Sequence, residues 1–389
     1  MLSVLRRARK SLGHIAVGLG LLVLAACVPG AAPVAGSGGS GSVQVALLVP
    51  GGSGQASDEL LARSLQNAAR LAISDLGNVK VDLRVYNTAG QPAQAQAMAL
   101  KAVSEGAQII LGPVFAQEAN AAGVAVANAG VNVLSFSNNP DIAGNNVFVL
   151  GPTFGNTAAR LASYSAGQGK RKIMIVHDRN TAGELGRAAI QRGVQAAGGS
   201  VVAVGSYEFS QNGVVQAAPG IVAAARSSGA EAVFMTADTA GALPLVSQLL
   251  ADNGLSSASI QYIGLTRWDI PAQTLGLPGV QGAWFALPDP ALFAQYESRY
   301  QTAFGEAPHP ISGLAYDGIA AIGALMKRGT AGAVSKAALT QGSGFVGVNG
   351  IFRLNGDGTN SRGLAVAQIR GNQLVIVDPA PRSFGGAGF

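Results

Sequence analysis

The chain has 389 residues, with 26 basic and 20 acidic side chains and a formal charge of +6. It is 48% hydrophobic but only 6% aromatic, so the apolar share rests on small residues that let helices pack closely over a sheet. The length suits two core-forming units. The basic balance does not mark a nucleic-acid binder, because no basic run with interleaved aromatics follows the N-terminal segment.

The N-terminus has the three parts that export requires. Arg6, Arg7, Arg9 and Lys10 form a positive region, and Ile15–Ala26 an apolar stretch too short to span a bilayer comfortably. Leu24-Ala25-Ala26-Cys27 resembles the bacterial lipobox, in which small residues precede an acylated cysteine. Residues 1–26 therefore read as a lipoprotein signal peptide and Cys27 as the lipidation site. Cleavage would remove four basic residues and no acid, which lowers +6 to +2. Cys27 is the single cysteine, so lipidation leaves no thiol for disulfides, thiol catalysis or a cysteine metal site. His177 and His309 are isolated, and no metal or cofactor is expected.

Residues 27–42 read as a lipidated flexible tether rich in Pro, Gly and Ser. Its span is roughly 20 Å r.m.s. and about 50 Å at most. Val43–Val49 then reads as a strand, followed by the turn Pro50-Gly51-Gly52-Ser53-Gly54, with Ser57 and Asp58 offered as helix N-caps. Leu60, Leu61, Leu65, Ala68, Ala69 and Ala72 recur at helical spacing. Lys80–Tyr86, Ile109–Leu111 and Asn132–Phe136 are expected strands, and Pro92–Ser104 and Gln117–Ala129 helices.

A second series begins after Gly151-Pro152. Helices are expected over Asn156–Ala166, Thr181–Ala197, Gly213–Ser228 and Ala240–Asp252, and strands over Lys172–Val176, Ser200–Tyr207, Ala232–Met235 and Gln261–Gly264. Such alternation argues for parallel sheets covered on both faces, and two series argue for two doubly wound lobes. In the last part, Val280–Leu287 is an expected strand, and Pro290–Phe304 and Gly313–Lys327 are helices. Gly350–Arg353 and Gly363–Ile369 are expected strands joined by a turn over 354–358, with Leu374–Val377 beside them.

Several segments in this order resemble the type I periplasmic binding proteins, especially their branched-chain amino-acid branch. They are Asn67–Ile73, Ile110-Leu111-Gly112-Pro113-Val114, Ser135–Pro140, Val176-His177-Asp178 with Gly183-Glu184-Leu185-Gly186, and Tyr296–Gly305 with Leu314–Gly318. The resemblance runs from Val43 to Asp378. It implies an α/β fold of two doubly wound, Rossmann-like lobes joined by a three-crossing hinge near residues 150, 285 and 347. Lobe 1 is then 43–150 plus 288–346, lobe 2 is 151–287 plus 347–378, and 379–389 is a C-terminal tail.

The resemblance also implies a ligand between the lobes, at the C-terminal strand ends. Phe115, Ser135, Ser137, Asn138 and Asn139 are then lobe 1 candidates for holding a carboxylate. Thr236, Asp238, Arg267 and Trp268 are lobe 2 candidates, with Trp268 as a wall and Asp238 or Asp269 supplying negative charge. The amino-acid constellation is incomplete: Ala182 stands where the family has Tyr, and Arg267 adds an unwanted positive charge.

Enzyme motifs are missing. The glycines at 51–54 lack the Lys of a P-loop and the third glycine of a dinucleotide fingerprint. No Gly-x-Ser-x-Gly elbow accompanies His177-Asp178. Two readings stand. One is a solute-binding lipoprotein that passes a small polar, amino-acid-like or peptide-like ligand to an ABC permease. The other resembles the penicillin-binding-protein activators, lipoproteins that regulate a peptidoglycan synthase by contact; Gly264–Asp269 and Gln281–Phe285 carry that likeness. In both, the lipid is the only membrane contact, on the periplasmic side of the envelope. Val28 after the cysteine favours the outer membrane.

Overall fold

All but one of the strands of the first series bury side chains on both faces, as a sheet between two layers of helix requires. In the computed structural model, which describes residues 41–329 and 332–385, this series is β1 (Ser42–Val49), α1 (Ala56–Asp75), β2 (Lys80–Asn87), α2 (Pro92–Ser104), β3 (Ile109–Leu111), α3 (Ala116–Val126), β4 (Asn132–Ser135) and β5 (Val147–Val149). The five strands are parallel, in the order β2-β1-β3-β4-β5. Val43, Val45, Leu47 and Val49 enter one core, and Ala46 and Leu48 the other, as a two-residue period dictates. Residues 1–26, Cys27 and tether residues 28–40 lie outside the described residues.

The second series is α4 (Phe154–Gly167), β6 (Lys172–Asp178), α5 (Thr181–Ala196), β7 (Ser200–Tyr207), α6 (Gln211–Ser227), β8 (Ala232–Met235), α7 (Leu243–Asp252), β9 (Gln261–Gly264) and β10 (Trp284–Leu287). The chain then returns through α8 (Pro290–Phe304), α9 (Gly313–Arg328), α10 (Lys336–Leu339), β11 (Phe345–Gly347), β12 (Gly350–Leu354) and β13 (Asn360–Arg362). It ends in β14 (Ala365–Arg370) and β15 (Gln373–Asp378). The second sheet has seven strands in the order β15-β14-β10-β9-β8-β6-β7, with β14 antiparallel to β10 and β15 antiparallel to β14. Both sheets carry helices on each face. Residues of α1, α8 and α9 share a core on one side of the first sheet, and α2 and α3 cover the other. In the second lobe α6 and α7 cover one side, and α4 and α5 the other.

Two helices that start just after a lobe crossing are tightly capped. Thr153 Oγ1 accepts from Asn156 N–H at 3.2 Å while Asn156 Oδ1 accepts from Thr153 N–H at 2.9 Å, a reciprocal box at the start of α4. Asp289 accepts from the N–H groups of Ala291 and Leu292 at the start of α8. These caps set the direction in which the chain enters each lobe. The expected caps Ser57 and Asp58 instead lie inside α1, which starts at Ala56 without a side-chain cap. Glu59 reaches back to accept from Gly52 N–H at 2.6 Å, placing its charge where the helix dipole favours it.

The structure departs from expectation in three further places. The strand expected from Val280 begins only at Trp284, because Pro278–Val280 form a 3₁₀ turn. The helix expected from Ala240 begins at Leu243, after a turn in which Leu243 N–H donates to Asp238 O. The 354–358 turn pairs β12 with β13, while the following strand β14 joins the second sheet. The third crossing is therefore later than 347. Phe352 and Leu354 lie in the lobe 1 core and Leu364 in the lobe 2 core, so the chain crosses at 362–364. Gly347 is held against the Asp317 side chain, where a Cβ would lie 2.0 Å from Oδ1; the chain is pinned to lobe 1 at the position where the crossing was expected.

The hinge has its own polar core. Arg362 donates from Nε to Leu150 O at 2.9 Å and from Nη1 to Asp317 Oδ2 at 3.2 Å. Asp317 also accepts from Val348 N–H at 2.8 Å and Asn349 Nδ2 at 3.0 Å. Asn360 donates to Val149 O at 2.7 Å and Gly151 O at 3.0 Å. The first and third crossings are thus bonded to each other and to α9.

Candidate ligand cleft

Parallel sheets leave loop backbone and polar side chains at the C-terminal ends of their strands, and both lobes do so here. In lobe 1 the Gly112 backbone is left-handed, with φ 84°, and a Cβ there would lie 2.2 Å from Leu48 O. Only glycine lets the loop after β3 turn this close to β1. The turn delivers Phe115, 41% exposed, to the start of α3.

The serine-rich loop after β4 is largely occupied with itself. Ser135 is fully buried; its hydroxyl donates to Pro113 O and accepts from Ser137 N–H, both at 3.1 Å. Ser137 Oγ accepts from Asn139 N–H at 3.1 Å, and Asn139 Oδ1 caps the next turn through Asp141 N–H at 2.9 Å. Ser135, fully buried, holds the loop's shape, contrary to its expected role as a ligand donor; Asn139 commits only its Oδ1 to the turn. Asn138 is exposed.

Lobe 2 brings more groups together. A pocket of about 90 Å³ is lined by Asp178, Asn180, Tyr207, Thr236, Asp238 and Thr266, with Phe154 and Phe209 also at its wall. Thr236 donates to Asp178 Oδ1 at 2.6 Å, and Asn180 Nδ2 donates to Asp178 Oδ2. Asn180 also accepts from Gly183 N–H at 2.7 Å, which starts α5. Asp238 is exposed at the rim. The hydroxyls of Tyr207 and Thr266 are buried and have no hydrogen-bond partner among the described residues. Burial holds the Tyr207 phenol above its ordinary pKa, and the charges of Asp178 and Asp238 add to this. It therefore stays a neutral hydroxyl, able to donate or accept.

A second pocket, of about 160 Å³, adjoins the first through Phe154 and Thr266 and runs along Arg267, Leu287 and Pro288 toward the hinge. Arg267 forms a two-point pair with Asp269, donating from Nε to Oδ1 at 2.9 Å and from Nη2 to Oδ2. The positive charge that argued against an amino-acid site is balanced within the loop. Asp269 is spent in that pair, which leaves Asp238 as the free acid at the rim.

Trp268 does not wall the cleft. It is fully buried in the α6–α7 core, its Nε1 donating to Ala237 O at 3.2 Å. Gly264 makes the space, since a Cβ there would lie 2.4 Å from Trp268 Cε2. The structure therefore brings Thr236, Asp238 and Arg267 to adjoining pockets and removes Trp268. Phe115 and the 135–139 loop line neither pocket.

Sequence reasoning missed Tyr207, Thr266 and Asn180. A tyrosine closing a strand beside an acid-bearing strand end was the available signal, but nothing in sequence says that β7 neighbours β6. In lobe 1 the Glu118 carboxylate is buried and makes no hydrogen bond of ordinary geometry among the described residues. Burial raises its pKa; nearby Thr88 and Phe115 donors offset only part of that. His177 contacts the carbonyl of Asp178 at 3.2 Å, not its carboxylate, so the two residues form no proton relay. Among the described residues no cluster of His, Cys, Asp and Glu could hold a metal, and no helix is long and apolar enough to cross a membrane.

The family described as periplasmic binding protein matches residues 42–373. The chain belongs to that family. Similar solved structures agree on the fold of this binding protein. A branched-chain amino acid ABC transporter periplasmic ligand-binding protein from Burkholderia xenovorans LB400 is 18% identical, with a TM-score of 0.67 over 88% of this chain and 97% of that one. An ABC transporter substrate-binding protein from Desulfitobacterium hafniense in complex with Leu is 18% identical, with a TM-score of 0.63 over 86% and 100%. A solute-binding protein of an ABC transporter from Rhodopseudomonas palustris BisB5, in complex with 3,4-dihydroxybenzoic acid, is 19% identical, with a TM-score of 0.58 over 88% and 97%. A search of curated proteins finds no match. The two-lobed α/β fold expected from the sequence is that of the family, whose members bind solutes and are not enzymes.

Proposed function

We propose that this binding protein captures a small polar, amino-acid-like ligand between its lobes and presents it to an ABC-type permease. It acts on the periplasmic side of the envelope, held through a lipid on Cys27. The observation that carries the reading is the lobe 2 pocket: two buried hydroxyls without partners, Tyr207 and Thr266, beside Asp178 and Asp238. A buried unpartnered hydroxyl costs about 1–3 kcal/mol, which a ligand's polar head would recover. Two acids around that head favour an ammonium group. Ser137 and Asn138 stand at the strand ends of the opposite lobe, ready to meet the ligand's other end on closure.

The reading is tested by thermal unfolding of the protein against amino acids, short peptides and hydroxybenzoates. A ligand that binds the native state raises its stability by RT ln(1 + [L]/Kd). A shift with an amine-bearing compound supports the proposal; a flat response across the panel sinks it.

A second reading, a penicillin-binding-protein activator, draws on one feature. Several family ligand positions are used internally here: Ser135 and Asn139 by their own loop, and Trp268 by the core. Under that reading the protein raises the turnover of a purified peptidoglycan synthase, and the ligand panel stays flat. An outer-membrane anchor would favour it, because a short tether there keeps the protein far from an inner-membrane permease.

A further inference from the structure

A cavity larger than either cleft pocket lies outside the cleft. A groove of about 380 Å³ lies on the hinge between lobe 2 helices α4 and α5 and the β12–β13 hairpin. Four arginines line it, Arg160, Arg192, Arg353 and Arg362, and no lining residue is acidic. Two of the four are neutralised within the chain. Arg160 pairs with Asp378 at 2.7 Å and Arg362 with Asp317 at 3.2 Å. The remaining two pair with no carboxylate among the described residues. Arg192 is exposed on α5, and Arg353 is half-buried with its guanidinium 4.7 Å from the centre of the Phe384 ring. Asp357, close by in the hairpin turn, is held by Thr359, which donates to it from N–H at 2.9 Å and from its hydroxyl at 2.6 Å. The groove therefore keeps two arginines that no carboxylate pairs with among the described residues.

We propose that this hinge groove is an anion site, distinct from the cleft, that takes a phosphate-type dianion through Arg192 and Arg353. Two guanidinium forks match the two charges and the oxygen geometry of a phosphate monoester, whereas a single carboxylate would balance only one. The attraction rests on charge rather than on the start of α4, where the Thr153–Asn156 box already ties the Thr153 and Asn156 N–H groups. Ser361 adds a hydroxyl to the same wall. Arg353 belongs to the hairpin packed on lobe 1, and Arg192 to lobe 2, so a dianion between them bridges the lobes.

The site is tested on the full chain with inorganic phosphate, followed by ³¹P line broadening at constant ionic strength, and by co-sedimentation with phosphatidic acid vesicles against phosphatidylcholine vesicles. Broadening alone identifies a soluble phosphate ligand; selective sedimentation alone identifies a lipid headgroup; both support the site. Arg192→Ala with Arg353→Ala weakens binding by about tenfold or more, since each charge-assisted pair is worth more than a neutral one. Arg192→Lys with Arg353→Lys keeps the charge and retains part of the affinity. Thermal unfolding confirms that both double variants fold. Absence of binding in both arms, or binding that survives the alanine pair, overturns the proposal.

Discussion

Arg362 and Asp317 form an ion pair at 3.2 Å in which neither side chain reaches solvent, 2% and 0% exposed. It joins the third lobe crossing to α9. A buried pair of this kind adds little net stability when intact, but removing one partner strands the other charge. Asp317→Ala is expected to destabilise the protein by about 3–5 kcal/mol in urea unfolding. The double change Asp317→Leu with Arg362→Met should recover much of that loss. If Asp317→Ala unfolds at the same urea concentration as the parent, the pair does not hold the hinge.

Glu118 carries a second prediction, about pH. Burial raises its folded-state pKa above the unfolded value, so the native state holds a proton that the unfolded chain has released. Stability should therefore fall as pH rises from the ordinary glutamate value through the raised one. Glu118→Gln keeps the shape, lacks the charge and should flatten that dependence, gaining stability at neutral pH. Unfolding curves at pH 4, 5.5 and 7 decide it; parallel slopes in parent and variant would contradict the assignment.

Tyr207→Phe separates binding from folding. Its hydroxyl has no partner in the described protein, so removing it should leave stability within about 0.5 kcal/mol or slightly raised. Affinity for whichever amine-bearing ligand shifts the unfolding temperature should drop by about tenfold, the value of one hydrogen bond near charge. Calorimetric titration of parent and variant measures the affinity, and urea unfolding the stability. An unchanged affinity would place the ligand elsewhere.

Trp268 and Trp284 are the two tryptophans. In Trp284→Phe, Trp268 alone should resist acrylamide quenching and be blind to ligand, because it is core. Gly264→Ala drives a Cβ into its ring, and overpacking of this kind costs about 1–3 kcal/mol. A Trp268 signal that quenches readily, or responds to ligand, would return it to the cleft wall.

Cys27→Ser tests the anchor: the variant should move from the membrane fraction to the soluble periplasmic fraction. Persistence in the membrane would argue against lipidation.

The alternation of strand and helix was readable because buried parallel strands show as short apolar runs and their helices as 3.6-residue stripes. β3, β8 and β9 match their expected bounds for that reason. Where the pattern failed, a tertiary contact overrode it. The 350–369 region reads as one hairpin, yet Phe352 belongs to one lobe and Val366 to the other. Apolar alternation reports that a face is buried, not against which sheet.

The site followed the same rule. Residue types at strand ends pointed to the cleft, and Thr236, Asp238 and Arg267 do line its pockets. Ser135 and Trp268 stand near comparable strand ends in sequence but turn inward, and Asn139 commits its Oδ1 to the next turn. Hydrogen-bond partners at close range, and the space left by Gly264, decide such cases.

By itself the sequence determined the two βα series and hence the doubly wound class, since these depend on local order and periodicity. Only the tertiary structure decided where the chain crosses between lobes, which polar groups lack partners, and that four distant arginines share one groove. Those facts depend on neighbours far apart along the chain, and local pattern carries no record of them.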